Sequence, residues 1–219
     1  MNELISVIIP VKNGHKYLSA ALDGIKVQNM NVEVIVVDDA SIDDTVAIAS
    51  NYGAKVIHHE TSKGQVAGKN SGLKVASGKY IMFHDHDDIM REGTLARLYD
   101  AICIDDELFM VMGKVKDFIS PDAVDQNAQI KAEPYWGLFT GAVLMRKELF
   151  DCVGLFDEDI HTGEIIALQM KMQQLGLKIQ KLDFIASDRR LHDSNFGKTA
   201  RLKEFKDYAS VLRKLRKQG

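Results

Sequence analysis

The first part of the chain switches repeatedly between a strand period and a helix period, and few folds accept that pattern. Residues 4–9 form a short β-branched apolar run that stops at Pro10, and residues 15–28 carry Leu18, Leu22 and Ile25 at helical spacing. A second apolar run, 32–37, ends in Asp38-Asp39. Ser41 is placed to cap the next helix, with Asp43 and Asp44 in its first turn, where the helix dipole favours carboxylates. That helix is expected to reach Tyr52 and to stop at Gly53. Lys55–His58 reads as a third strand, 65–76 as a helix with Gly78 just beyond it, and 79–83 as a fourth strand. Strands this short and apolar suit a parallel sheet covered by helices on both faces. The expectation is an α/β, Rossmann-like fold with a mostly parallel central sheet. Such sheets bind ligands beyond the carboxyl ends of their strands. Polar residues gather there: 10–13, then Asp38-Asp39, then His84-Asp85-His86-Asp87-Asp88.

The second half is less regular. Residues 92–104 read as a helix, 108–118 as a strand, 120–135 as a loop and 136–145 as loop then strand. Residues 147–154 read as a short helix and turn, 163–175 as a helix ended by Gly176, and 177–182 as a strand. With 219 residues, 46% hydrophobic and 27% charged, the chain can bury a core without disulfides. One domain over 1–187 is expected, followed by a tail, 188–219. Cys103 and Cys152 lack CxxC spacing and lie on apolar segments, which predicts buried thiols in a reducing compartment. No basic leader precedes residue 4, and no apolar run approaches the roughly 20 residues of a membrane span. A soluble, cytoplasmic protein is expected. The net charge is −3, and residues 198–219 hold eight Lys and Arg against Glu204 and Asp207. The main body is therefore acidic, which argues against nucleic acid as a partner. Residues 199–217 carry Leu202, Phe205, Ala209, Leu212 and Leu215 on one helical stripe. A basic amphipathic helix of this kind suits peripheral contact with an anionic membrane, or packing on the domain or in a homodimer.

The acidic turn after the fourth strand is the densest chemical signal. Asp85, Asp87 and Asp88 fall within four residues and alternate with His84 and His86. Like charges this close are unfavourable without a cation. Asp-x-Asp oxygens suit Mg2+ or Mn2+, ions that keep positions open for phosphate. A metal there can bridge a diphosphate and stabilise its departing charge. The plain alternative is a solvated turn in which Asp87 or Asp88 caps a helix starting near Ile89.

Four blocks, taken in order, carry a resemblance: Ser6-Val7-Ile8-Ile9-Pro10-Val11-Lys12-Asn13, Val36-Val37-Asp38-Asp39-Ala40-Ser41, Gly68-Lys69-Asn70-Ser71-Gly72-Leu73, and the segment 78–88 with its acidic turn. Together they resemble the family 2 glycosyltransferases with the GT-A fold. The likeness is strong over 4–95, weaker over 136–176 and faint beyond. It implies a nucleotide-binding half, 1–95, and an acceptor half, 96–187. It also implies a metal-dependent, inverting transfer from a nucleotide-sugar, commonly a UDP-sugar, to a hydroxyl of a glycan or lipid-linked acceptor. By the resemblance, Pro10 and Asn13 edge the nucleotide pocket, Asp39 accepts the base N–H and Asp38 supports it. Lys69 stands where the family usually has Arg and faces the base or diphosphate. Asp85 contacts ribose or sugar and joins Asp87 and Asp88 at the metal. Arg189-Arg190-Leu191-His192 with Asn195 resembles a late motif whose His, here His192, joins the metal or diphosphate. Lys12 replaces an aromatic that often stacks on the base.

Inverting transfer also needs a carboxylate to take the acceptor's proton. The family supplies an acidic pair at the start of a helix, and here that place holds Glu164-Ile165. Glu164 is the candidate base, and Asp157, Glu158 and Asp159 are alternatives nearby. The usual base position, Ile165, cannot accept a proton, which leaves open a non-catalytic nucleotide-sugar binding protein. A nucleotidyltransferase is disfavoured, since residues 10–14 lack the Gly-rich basic loop such enzymes use. Gly141-Ala142 resembles a segment lining the donor sugar, and Trp136 is a candidate to stack on a sugar face.

Overall fold

The computed structural model describes residues 2–125, 130–137, 140–160 and 163–193. The expected alternation appears as β1 (Ile5–Val11), α1 (Leu18–Lys26), β2 (Val32–Asp38), α2 (Thr45–Asn51), β3 (Lys55–His58), α3 (Gln65–Val75) and β4 (Tyr80–Phe83). There follow β5 (Ile89–Met90), α4 (Thr94–Ile104), β6 (Leu108–Ile119), a 3-10 turn at Thr140–Ala142, β7 (Val143–Arg146), α5 (Leu149–Val153), α6 (Glu164–Gln174) and β8 (Lys178–Leu191). They build one mixed sheet in the order β3-β2-β1-β4-β7-β6-β8-β5. Strands β1 to β4 are mutually parallel, β7 runs antiparallel to β4 and β6, and β8 is parallel to β6.

The two faces of the sheet follow from the two-residue strand period. Ile5, Val7, Ile9, Val36, Tyr80 and Met82 point into a core closed by α1, α2 and α4, through Leu18, Leu22, Ile25, Ala49, Leu95, Leu98 and Ile102. Their neighbours Ile8, Ile35, Val37, Ile81 and Phe83 point into a second core under α3, α5 and α6, with Leu73, Phe150, Phe156, Ile165, Leu168 and Met172. Helix α3 lies unusually close to β1. A Cβ on Gly72 would sit 2.3 Å from Ile8 Cγ2, and one on Gly68 2.9 Å from Pro10 Cβ. These two glycines, one turn apart, bring the helix down onto the strand and fix the height of Lys69 beside them.

Several expectations need correction. Helix α2 begins at Thr45 rather than at a Ser41 cap; the Ser41 hydroxyl instead accepts the Asn13 N–H at 2.8 Å, tying the loops after β1 and β2 together. Ile89 starts a two-residue strand, not a helix, and α4 waits until Thr94. The last strand does not stop at Leu182. It runs on to Leu191, across the expected 187/188 boundary, because the edge of β6 offers a parallel partner from Leu108 to Ile119. Both cysteines are exposed and free, not buried, since they lie on the outer sides of α4 and α5. Among the described residues no helix is long and apolar enough to cross a membrane. Asn195 and the amphipathic stretch 199–217 lie outside the described residues.

Candidate active site

The carboxyl ends of β1, β2 and β4 meet at one rim, and each brings a polar loop. After β1, Asn13 takes a left-handed φ of 53°, from which its Oδ1 accepts the Ile42 N–H at 3.0 Å. Pro10 is buried beneath Gly68. At the end of β2, Asp38 is fully buried, with Oδ2 2.7 Å from His58 Nδ1. Asp39 is 5% exposed and serves as the anchor of the loop before α3. Its Oδ1 meets His59 Nδ1 at 2.8 Å and the Lys63 N–H at 2.7 Å, while its Oδ2 accepts from Ser62 Oγ at 2.6 Å and the Gly64 N–H at 2.9 Å. Burial alone would raise the Asp39 pKa, but these bonds outweigh it and bring it from 3.8 to about 2.

The acidic turn after β4 is held from two sides. On one side Gln65, in the first turn of α3, donates to Asp85 Oδ1 at 2.8 Å. On the other side β5 pairs antiparallel with β8, Ile89 opposite Asp188 and Met90 opposite Ser187. That register delivers the end of β8 to the turn. Asp88, 4% exposed, accepts the Arg190 N–H at 2.9 Å, and the Arg190 Nε–H donates to the Asp87 carbonyl at 2.9 Å. His192 Nε2 lies 2.9 Å from Asp87 Oδ2, with its ring against Tyr17 at 4.7 Å between centroids. The Arg190 guanidinium lies over the rings of Tyr17 and Phe118, 4.8 and 4.7 Å from their centroids.

Burial, then repulsion from Asp85 and Asp87, pushes Asp88 well above the usual carboxylate range. Burial likewise raises Asp85, against the pull of Lys69. Burial works against the ionised form of Asp87 too, but the His192 bond and the adjacent His86 outweigh it and hold this carboxyl low. Two crowded, uneasy carboxylates beside one that stays ionised make a site that a cation would relieve. Among the described residues, however, no three His, Cys, Asp or Glu side chains converge as a ready-made metal cage. Of the four expected ligands, Asp87 and His192 are together, Asp88 is engaged by the backbone of β8 and Asp85 by Gln65. A divalent ion held by this carboxylate oxygen and this imidazole nitrogen would replace the hydrogen bond between them and would need most of its ligands from elsewhere.

Lys69 and Glu164 face the rim from the helices beneath it. Lys69 is 2% exposed and is paired with Glu164 Oε1, and its ammonium stands 5.9 Å from the centre of the Phe83 ring. Glu164 opens α6, and Ile165 is 3% exposed within the apolar core. Of the alternative acids, Glu158 Oε1 accepts from Asn70 at 2.8 Å, and Asp157 Oδ1 accepts the Asp159 N–H within its own turn. Trp136 is 42% exposed; its indole N–H donates to the Leu182 carbonyl at 3.1 Å, and Lys114 lies over its ring. Gly141 packs near His84, whose Nδ1 is 2.6 Å from the Asp85 carbonyl and whose buried Nε2 has no hydrogen-bond partner among the described residues. Sequence reasoning named Arg190 only as part of the late motif, and it missed Gln65, Tyr17 and the 59–64 loop. Gln65 alone had a readable signal, since it lies one helical turn before Lys69.

A doubly covered sheet with acidic loops at the carboxyl ends of its first parallel strands is the GT-A type of glycosyltransferase fold. The glycosyl transferase family 2 profile matches residues 6–156, and the chain belongs to that family. Glycosyltransferase GlyG of Streptococcus pneumoniae is 38% identical over 108 residues, 47% of this chain and 36% of GlyG. The crystal structure of S. aureus TarS 1-349 in complex with UDP-GlcNAc superposes with a TM-score of 0.72 at 25% identity, covering 96% of this chain and 65% of that one. The mannosyltransferase PcManGT of Pyrobaculum calidifontis, solved with GDP-Man and Mn2+, shares the fold at a TM-score of 0.73 and 18% identity, covering 97% of this chain and 65% of that one. The chain thus spans about a third of GlyG and under two thirds of the solved proteins.

Proposed function

We propose that this chain is the donor-binding and catalytic domain of an inverting glycosyltransferase. It moves a sugar from a nucleoside-diphosphate sugar, a UDP-sugar, to a hydroxyl of a glycan or lipid-linked acceptor. The observation that carries this reading is the meeting at one rim of Asp38 and Asp39, the Asp85–Asp87 turn, Lys69, Glu164 and His192, from segments far apart in sequence. The UDP-GlcNAc and GDP-Man complexes of the solved neighbours support a nucleotide-sugar donor. Pro10 and Asn13 edge the nucleotide pocket. All four lone-pair positions of Asp39 are filled from the 59–64 loop, so a base N–H reaches it by displacing one of them. The exposed Ser62 hydroxyl is the cheapest to displace.

Asp87 and His192 would hold Mn2+ or Mg2+, with Asp88 fixing the turn behind them and Asp85 facing ribose or sugar. When bound, the ion offsets the charge that builds on the departing diphosphate. Glu164 takes the acceptor's proton as the hydroxyl oxygen bonds to the anomeric carbon. The carbon–oxygen bond to the diphosphate breaks in the same step, its electron pair leaving with the nucleoside diphosphate.

A thermal-shift series with UDP and GDP, with and without Mn2+, tests the donor half. A metal-dependent stabilisation by UDP is expected, and its loss in His192→Ala. A protein indifferent to every nucleoside diphosphate would sink the assignment. Turnover is tested separately, by hydrolysis or transfer of UDP-sugars in wild type and Glu164→Gln. One specific observation favours a second reading, a binding protein without turnover: Ile165 is buried and Glu164 is already paired with Lys69. Tight UDP binding with no donor ever consumed would select it.

A further inference from the structure

The Lys69–Glu164 pair joins the two halves of the site, and its arrangement holds more than a static contact. Lys69 is nine-tenths and more buried, yet among the described residues Glu164 is its one hydrogen-bond partner. An ammonium has three N–H donors. One is spent on Glu164, and the face of Phe83 lies near the group without satisfying the rest. Phe83 is the last residue of β4, immediately before the acidic turn, so Lys69 lies under the place where a diphosphate would rest. Gln65, one turn earlier on α3, already reaches Asp85 in that turn. Gly68 and Gly72 seat the α3 backbone close against β1, which leaves the long side chain as the part that carries the ammonium from one partner to another.

We propose that Lys69 is a charge switch set by the donor's diphosphate. Without nucleotide it neutralises Glu164 and blocks it from accepting a proton. A nucleoside diphosphate, carrying more charge than one carboxylate, draws the ammonium toward the rim and leaves Glu164 free. With the ammonium drawn away, the Glu164 oxygen it occupied is open to the acceptor hydroxyl, so the base becomes reachable only once the leaving group is in place. This inference rests on the donor-binding reading and deepens it: the same lysine that binds the diphosphate withholds the base until the diphosphate arrives. It also gives a reason for an acid beside Ile165 to serve as base, since Glu164 is the carboxylate within reach of Lys69.

The competition has a signature that a structural ion pair lacks. Glu164→Gln removes the rival for the ammonium, so it tightens binding of UDP by roughly tenfold, the worth of a charge-assisted hydrogen bond, and leaves uridine binding unchanged. Calorimetric titration of wild type and Glu164→Gln with both ligands reads this directly. Lys69→Arg, which keeps the charge, retains the preference for UDP over uridine, and Lys69→Met loses it. If Glu164→Gln weakens UDP binding or leaves it unchanged, Glu164 only props Lys69 and the switch is refuted. A measurement on the unaltered protein guards against a variant that fails to fold. In protein labelled with 13C-lysine, the Lys69 Cε resonance, assigned by its absence in Lys69→Arg, shifts on adding UDP and stays in place on adding uridine. A resonance that ignores both while UDP binds also overturns the switch. If the wild type binds no nucleotide at all, the donor-binding reading fails first and the switch with it.

Discussion

Replacing Asp39 by Asn separates the anchoring role of this carboxylate from everything else at the rim. The side chain is almost fully enclosed and accepts two backbone N–H groups, from Lys63 and Gly64, as well as Ser62 and His59. Its pKa falls from 3.8 to about 2 on folding, despite burial. At about 1.4 kcal/mol per unit, that drop corresponds to about 2 kcal/mol of stability held by the ionised form. An amide in the same place keeps one acceptor oxygen and turns N–H groups toward donors, so Asp39→Asn loses about this amount at neutral pH. The sign fixes the pH window. A carboxylate with a depressed folded pKa contributes fully above its unfolded value, here 3.8, and the contribution fades as pH falls through about 2. Urea unfolding of wild type and Asp39→Asn, followed from neutral pH downward, should therefore show a gap of about 2 kcal/mol that narrows below about pH 4. A gap under about 0.5 kcal/mol at neutral pH, or one that persists unchanged into acid, would refute the reasoning.

Three further outcomes follow from the packing. Gly72→Ala forces a methyl against Ile8 and lifts α3 from β1, a net loss of about 1–2 kcal/mol in urea unfolding even after the helix gains from alanine. Arg146 is 5% exposed and caps the carbonyls of Leu108, Ile102 and Asp105; Arg146→Met strands them and costs about 3 kcal/mol, seen as a lowered melting temperature. Ile165→Asp, which writes an acid into the family's usual base position, buries a carboxylate in the apolar core under α6. It should destabilise the protein by about 3 kcal/mol or more without raising turnover; a folded, more active Ile165→Asp would show that α6 can rotate.

The parallel strands were readable because each is a short apolar run with a helix-period segment between one and the next, although β1 does not stop at Pro10 as expected but pairs on through Val11. That is why Lys55–His58 matches to the residue and why the rim positions of Asp38, Asp39 and Asp85 could be placed. The later strands lack such local marks. Lys178–Leu191 mixes exposed and buried residues, and its length is set by β6 beside it, which no window of sequence contains. Ser41 misled for a related reason. Its hydroxyl could serve its own helix or the Asn13 backbone, and the choice depends on how closely the β1 and β2 loops approach. The cysteines misled because an apolar helix still has an outer face. Lys69 was singled out by position, but its burial against Glu164 joins residues far apart in the chain and has no trace in either segment alone.

The two-residue strand β5 has a consequence for how the molecule assembles. It is where the acidic turn is stitched to β8, with Ile89 opposite Asp188. Contacts between such distant partners raise the contact order, and the entropy of closing so long a loop must be met before they stabilise anything. The parallel strands and the Asp39 anchor need only the first part of the chain, but the turn acquires Arg190 and His192 only when the final strand docks. The span matched by the family profile ends at residue 156, short of both Glu164 and β8. A fragment cut at that boundary would keep the Asp38–Asp39 rim yet lose the clasp on Asp87, the candidate base and the partner of Lys69. The proposed metal and proton-transfer roles would then be the first that truncation or fraying at β8 removes.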